Sequence, residues 1–318
     1  MTQPVGPYRL QPADPQGDGG ASPTTHGPPP RDLAQRASSY LRSNELFESL
    51  GTTSPPHCAF DDDHDFERCG NDRPVTAPVL FLQQARDVEA VDVKDVKQGG
   101  AGDCALLATL AALASTPEGR AVIQSAISEN RSQNGDVVSY TVTLHKPVPH
   151  FLGARTFSEV KVTVEPPFVL GHAVSRGGQE APQAGDSHEV WPLVIEQAYA
   201  KVRGGYNQTC RSDAPFRAME ALTGKPATQH RLGWLGYTAK QIAADCAARK
   251  LVVLDTKKTI DGASKLAPGH AYQVAGTYVE NGALYFQLHN PWNDRDPVPI
   301  RGEDLAKWFA AVDVGSVR

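Results

Sequence analysis

The chain has 318 residues, 40% of them hydrophobic, which is enough to bury one large core or two substantial ones, so folding stability is no obstacle. Its charges are mixed and sum to −5, which excludes the basic stripe of a nucleic-acid binder. The start Met1-Thr2-Gln3-Pro4-Val5-Gly6-Pro7 carries neither the basic flank nor the apolar stretch of a secretory signal, and no run approaches the ~20 apolar residues of a membrane span.

Residues 1–31 are rich in Pro, Gly, Ser and Thr with few large apolar side chains, a composition that cannot offset its ordering entropy, and a disordered tail is predicted. From Asp32 the apolar residues Leu33, Ala37, Tyr40, Leu41 and Phe47 recur at helical spacing up to Gly51, which predicts a packing helix. The stretch from His57 to Asp72 is dense in metal-ligand types. Asp61, Asp63, Asp65 and Asp72 fall on a calcium-loop template, but Phe66 occupies the turn position that needs Gly, and Asp72 stands where Glu belongs. Cys58, Cys69, His57 and His64 have no usual zinc spacing. The segment 32–78 is therefore read as a helix and an exposed acidic loop, with no metal.

The run Gln98-Gly-Gly-Ala-Gly-Asp-Cys104 leads into Leu106, Leu107, Leu110, Ala111, Leu113 and Ala114, which leave almost no polar face. A central buried helix is predicted over 103–114, capped by the Asp103 side chain. A thiol in the first turn of such a helix is favoured as thiolate by the N-terminal N–H groups, so a lowered pKa is expected for Cys104. Ser115-Thr-Pro-Glu118 offers a capping box and a leading proline for a second helix ending near Ile127. Alternation in Val138 to Leu144 and Val160 to Val164 predicts a two-strand unit, and Gly171 to Gly185 a long exposed loop. An amphipathic helix is predicted from Asp186 or Ser187 to Gly204, with Trp191 on its apolar face.

Short helices follow at 214–222 and 238–248, then a strand at 251–254 and a hairpin of 271–279 with 284–288. Helices first and sheet later give an α+β chain of two lobes, a helical lobe over 79–210 and a β-rich lobe over 211–318. Five cysteines, an odd number without a CxxC pair, point to synthesis in a reducing compartment. The setting predicted is cytoplasmic, or export without a cleavable signal in the manner of an effector.

A cysteine nucleophile needs a base. His270 enters a strand after Gly269, a small residue that leaves its ring accessible, and Asn290 offers an amide to orient that ring. With a two-residue Asn281-Gly282 loop and regular pairing, His270 and Asn290 fall on opposite faces of the hairpin. A three-residue loop with Gly282 left-handed, or an equivalent bulge at the turn, sets Asn290 opposite Tyr272. His270 is then a diagonal neighbour of Asn290 at about 7 to 8 Å along the backbone. An odd loop or bulge is therefore expected at this turn.

The segments Gln98 to Cys104, Glu189 to Lys201, Gly269-His270-Ala-Tyr and Asn290-Pro-Trp292 together resemble the calpain family of cysteine peptidases over Val79 to Trp308. The resemblance implies a papain-like fold and an endopeptidase acting on protein or peptide substrates in the cleft between two lobes. It implies Cys104 as nucleophile, His270 as base, Asn290 as orienting amide, Gln98 as oxyanion donor and Trp292 as shield of the His–Asn bond. Asp103 supports the cysteine. Two positions depart from the family pattern: Ala105 stands where Trp often follows the cysteine, and Asn293 where Gly commonly follows Asn-Pro-Trp. The stretch after Trp308 leaves no room for the family's calcium-binding modules, so calcium activation does not carry over and no cofactor is required. Two other readings stay open, a Cys-His-Asn deamidase or acyltransferase and a non-catalytic binding module on the same fold.

Overall fold

The structure, a computed structural model, describes residues 78–83, 89–98, 101–148, 155–166, 173–174, 188–233, 236–260, 266–292 and 298–317. The predicted tail, the 32–51 helix, the acidic loop and nearly all of the 171–185 loop lie outside these residues, as does Asn293. The described residues belong to one compact unit, Pro55–Arg318.

The first half runs β1 (Pro78–Val79), a 3-10 turn (Val93–Asp95), β2 (Lys97–Gln98), α1 (Cys104–Ala114), α2 (Pro117–Ala126), β3 (Ile127–Arg131), β4 (Val137–Val148), β5 (Thr156–Val164), β6 (Ala173–Val174), β7 (His188–Glu189), α3 (Trp191–Arg203), α4 (Tyr206–Ser212) and α5 (Pro215–Thr223). Every residue of α1 from Ala105 to Ala114 is buried, as its Leu and Ala content dictates. The turn into α2 is capped by Thr116, whose hydroxyl accepts the Gly119 N–H at 3.0 Å. Ser115, expected in a capping box, instead donates its hydroxyl back to the Ala112 carbonyl at 2.7 Å. Gly119 is required by close approach, since a Cβ there would come within 2.1 Å of the Leu113 carbonyl oxygen. The predicted two-strand unit gains a third member, giving the sheet β3-β4-β5. α3 starts at Trp191, later than expected, because His188 and Glu189 pair in parallel with Pro78 and Val79. It stops at Gly204 in the left-handed conformation, φ 91°.

The second half adds β8 (Thr228–Arg231), α6 (Ala239–Ala247), β9 (Leu251–Thr256), β10 (Ala271–Glu280), β11 (Ala283–His289), β12 (Val298–Arg301), a 3-10 turn (Gly302–Asp304), α7 (Leu305–Trp308) and β13 (Phe309–Gly315). The six-stranded antiparallel sheet has the order β12-β11-β10-β9-β13-β8. Successive side chains of a strand point to opposite faces, and β9 uses both. Leu251 and Val253 enter the core built around α1, α3 and α5, whereas Val252 and Leu254 enter a second core with Phe286, Leu288 and Phe309. β10 divides the same way, Ala271 to the first core and Tyr272 to the second. The chain is a mixed α+β protein whose sheet lies between two apolar cores. No described helix is long and apolar enough to cross a membrane.

Candidate active site

Cys104 opens α1, and the Asp103 carbonyl accepts the N–H groups of Leu106 at 2.9 Å and Leu107 at 3.2 Å. The Asp103 side chain does not cap the helix, contrary to expectation. It is 0% exposed, turned into the interior where Glu196 of α3 bears on it, and neither carboxyl oxygen accepts a well-formed hydrogen bond. Burial foremost, and then the Glu196 charge, raise the Asp103 carboxyl well above its ordinary pKa. The Cys104 thiol also departs from expectation, its pKa being raised and not lowered. The Ala271 and Ala105 N–H groups favour its charged form, but burial outweighs them and pushes the thiol up to about 11. One N–H of the helix start, that of Ala105, and one of β10, that of Ala271, do act on this sulfur. They lose to the water removed from around it.

The Ala271 N–H that reaches the thiol belongs to the residue after His270, so β10 carries the imidazole to the start of α1. His270 is fixed at both ends. Its N–H donates to the Thr256 hydroxyl at 2.8 Å, and its carbonyl accepts the Thr256 N–H at 2.9 Å. Its Nε2 lies 2.8 Å from Asn290 Oδ1. An amide oxygen only accepts, so Nε2 carries the proton and Nδ1 is the acceptor nitrogen. Asn290 Oδ1 accepts a second hydrogen bond, from the Trp292 N–H at 3.1 Å. The Trp292 indole, 39% exposed, covers the imidazole with ring centroids 4.4 Å apart, and Tyr272 meets the ring edge-on at 5.0 Å. The ring predicted to be accessible is thereby buried, with His270 6% exposed.

The hairpin brings His270 and Asn290 to one face by a route different from the one expected. Its loop has two residues, Asn281 at φ 49° and Gly282 at φ 77°, both left-handed, the signature of a type I′ turn. Pairing runs regularly from Glu280↔Ala283 to Gly276↔Gln287, then shifts so that Val274 faces Leu288 and Gln273 faces His289. The extra residue is Ala275, a bulge in the middle of β10 and not at the turn. One unpaired residue is present as expected, but the turn where it was expected is regular.

Gln98 ends β2, where it pairs with Ala173. Its N–H donates to the Pro291 carbonyl at 2.8 Å, which ties it to the loop that carries Asn290. Its side-chain Nε2 donates to the Ala101 carbonyl at 2.6 Å, so one amide hydrogen fixes the group and the amide has a second to offer. Gly99 and Gly100 lie outside the described residues.

Sequence reasoning passed over Thr256 and His289. Thr256 ends an apolar strand with a hydroxyl, and that polar terminus beside a strand carrying a histidine was the available signal. His289 is buried next to Asn290, and burial lowers its pKa to about 4 against the opposing pull of Asp92. A neutral buried histidine gives stability that is present above its unfolded pKa of ~6.5 and lost as pH falls toward 4. Between pH 7 and pH 5, urea unfolding is therefore expected to show a loss of about 2 kcal/mol that His289→Gln does not share.

Among the described residues, Cys104, Cys210 and Cys246 are not joined in disulfides, and no three His, Cys, Asp or Glu side chains form a group that could hold a metal ion. The sequence pattern of the calpain family cysteine proteases matches residues 77–308. Individual relatives are more distant. The chain is 28% identical to rat (Rattus norvegicus) calpain-13 over 68% of its length, 25% to mouse (Mus musculus) calpain-8 over 67%, and 23% to the human (Homo sapiens) calpain-1 catalytic subunit over 70%. These matches span only 31%, 30% and 30% of the relatives' own lengths. A cysteine opening a buried helix, a histidine bonded to an asparagine under an indole, and a family match across most of the described residues agree: the chain belongs to the calpain family of cysteine proteases.

Proposed function

We propose that the chain is an endopeptidase that hydrolyses peptide bonds through Cys104, His270 and Asn290. The observation that carries this reading is the 2.8 Å bond between His270 Nε2 and Asn290 Oδ1, which leaves Nδ1 as the ring's proton acceptor on the strand that meets the Cys104 thiol. His270 Nδ1 takes the thiol proton as sulfur attacks the scissile carbonyl, and returns it to the departing amine as the thioester forms. A water then attacks the thioester with His270 again as base, releasing the acid and the thiol. Asn290 holds the ring in the required tautomer, and Trp292 keeps water from competing for that bond. The oxyanion is held by the second Gln98 amide hydrogen and the Cys104 N–H. The two apolar cores on either side of this site support a papain-like arrangement of two lobes with the substrate between them.

The test is incubation of the full chain with a denatured protein, read by mass spectrometry, in calcium and in chelator. New peptide termini are expected at equal rates in both, because the proposed steps use no cofactor. Deamidated or amine-modified side chains without new termini would replace this reading with deamidation or acyl transfer. An epoxysuccinyl probe that labels wild type and Cys104→Ala equally would remove Cys104 from the nucleophile's role.

A further inference from the structure

The sheet places a carboxyl group beside the Cys104 thiol that the proposed reaction does not use. Asp255 of β9 pairs directly with Ala271 of β10, the residue whose N–H acts on the thiol. Directly opposed residues on one face of a sheet hold their Cβ atoms about 4.5 to 5.5 Å apart. By strand alternation Asp255 shares the face of Leu251 and Val253, which is the face turned to α1. It bears on the thiol from there.

Behind Asp255 stands a second acid, Asp313 of β13, which is 0% exposed. The Gln229 amide of β8, opposite Asp313 in register, joins the two: its Nε2 lies 3.4 Å from Asp255 Oδ2 and 3.3 Å from each Asp313 oxygen. One donor touching both carboxyls sets them side by side. The fold has a use for Asp313. Its Oδ1 accepts the Phe216 N–H at 3.1 Å in the first turn of α5, a helix without a side-chain cap of its own. Asp255 has no such role. It is only half-buried, its bond to Gln229 lies at the surface, and the groups that act on it are Asp313 and Gln229, neither of them a cation. His230, stacked on Tyr237 with centroids 4.2 Å apart, acts on Asp313 and not on Asp255.

Burial raises both carboxyls above their ordinary pKa, and Asp313 raises Asp255 further, so the pair keeps a proton between them and one negative charge. This arrangement costs the free protein twice, once in like-charge repulsion and once in the field that opposes a thiolate. A cation at Asp255 reverses both costs.

We propose that Asp255, backed by Asp313, determines specificity by receiving the ammonium or guanidinium end of a lysine or arginine side chain close to the scissile bond. This rests on the peptidase reading, in which the substrate passes over Cys104. The test uses fluorogenic peptides that differ only in carrying Lys, norleucine or Glu, placed in turn at each of the three positions on either side of the scissile bond. Norleucine keeps the stem of lysine and removes its charge. At one position the full chain is expected to cleave the Lys peptide with a kcat/KM about tenfold or more above that of norleucine, with Glu below both. In Asp255→Asn the Lys-to-norleucine ratio is expected to fall to within about twofold. Gln229→Lys, at an exposed position on the edge strand, lays a resident cation on the same pair and is expected to collapse the ratio too, which keeps the test open should Asp255→Asn not fold. Calorimetric binding of the same peptides to Cys104→Ala reads the preference without cleavage. Lys-selective binding of peptides that wild type does not cut would remove the peptidase reading and leave the subsite standing. A ratio near one at every position, in cleavage or in binding, or a ratio that persists in either variant with an unchanged circular dichroism spectrum, overturns the assignment.

Discussion

Cys104→Ala is expected to abolish peptide cleavage, a loss of at least ~10⁴-fold, with a circular dichroism spectrum unchanged from wild type. The thiol is half-buried at the start of a helix whose apolar residues are all in place without it, so its loss removes chemistry and little packing. His270→Ala is expected to fall nearly as far, and the double variant no further, because sulfur and ring act as one unit. The two single variants differ in their dependence on pH. Burial holds the thiol at about 11, so without a base the residual rate of His270→Ala should climb about tenfold per pH unit toward that value. The wild-type rate should level off far below it, since the ring takes the proton. A flat profile for His270→Ala would mean that another group removes the proton. Asp255, the carboxyl that bears on Cys104 from β9, is the first to examine in that case.

Gln98→Ala is expected to lower kcat by two to three orders of magnitude, about 3 to 4 kcal/mol of transition-state stabilisation, with KM nearly unchanged. The side chain and backbone of Gln98 make separate bonds. The Gln98 N–H bond to Pro291 does not depend on residue type, so truncation leaves the loop anchored and removes only the amide. The Ala101 carbonyl, 2.6 Å from Nε2, aligns that amide before substrate arrives, which is what gives a hydrogen bond its worth in a transition state. Gln98→Glu keeps the shape and replaces a donor with a negative charge, and it should be at least as damaging. A loss below threefold in the alanine variant, measured by steady-state kinetics on a fluorogenic peptide, would place the oxyanion elsewhere.

Strong periodicity made much of this arrangement legible in advance. The continuous apolar run after Cys104 predicted a buried helix, and the capping box of Thr238 and Gln241 marked the helix that follows it in the second half. What escaped had weak or mixed patterns. β8 is the polar edge segment Thr228–Arg231, β12 contains Pro299, and β13 follows a four-residue helix with no break in composition, so none shows clean alternation. The side-chain errors share one cause. Local backbone alone favours a cap for Asp103 and a lowered pKa for Cys104, while burial by the rest of the fold decides both. The hairpin shows the converse. Parity demanded an unpaired residue, and the turn was the expected place for it; it lies instead at Ala275 in mid-strand, where local sequence carries no signal.

The hydrogen bond from Gln98 to Pro291 has a mechanical consequence. It joins the strand end that carries the proposed oxyanion donor to Pro291, between Asn290 and Trp292, so the two ends of the proposed reaction centre share one tether. A displacement that pulls Gln98 away also drags the backbone that holds the imidazole's partner. Partial opening should therefore silence the enzyme in a single step and leave no half-active form, and a covalent inhibitor spanning both ends should stiffen the tether and raise the melting temperature beyond what its own contacts supply.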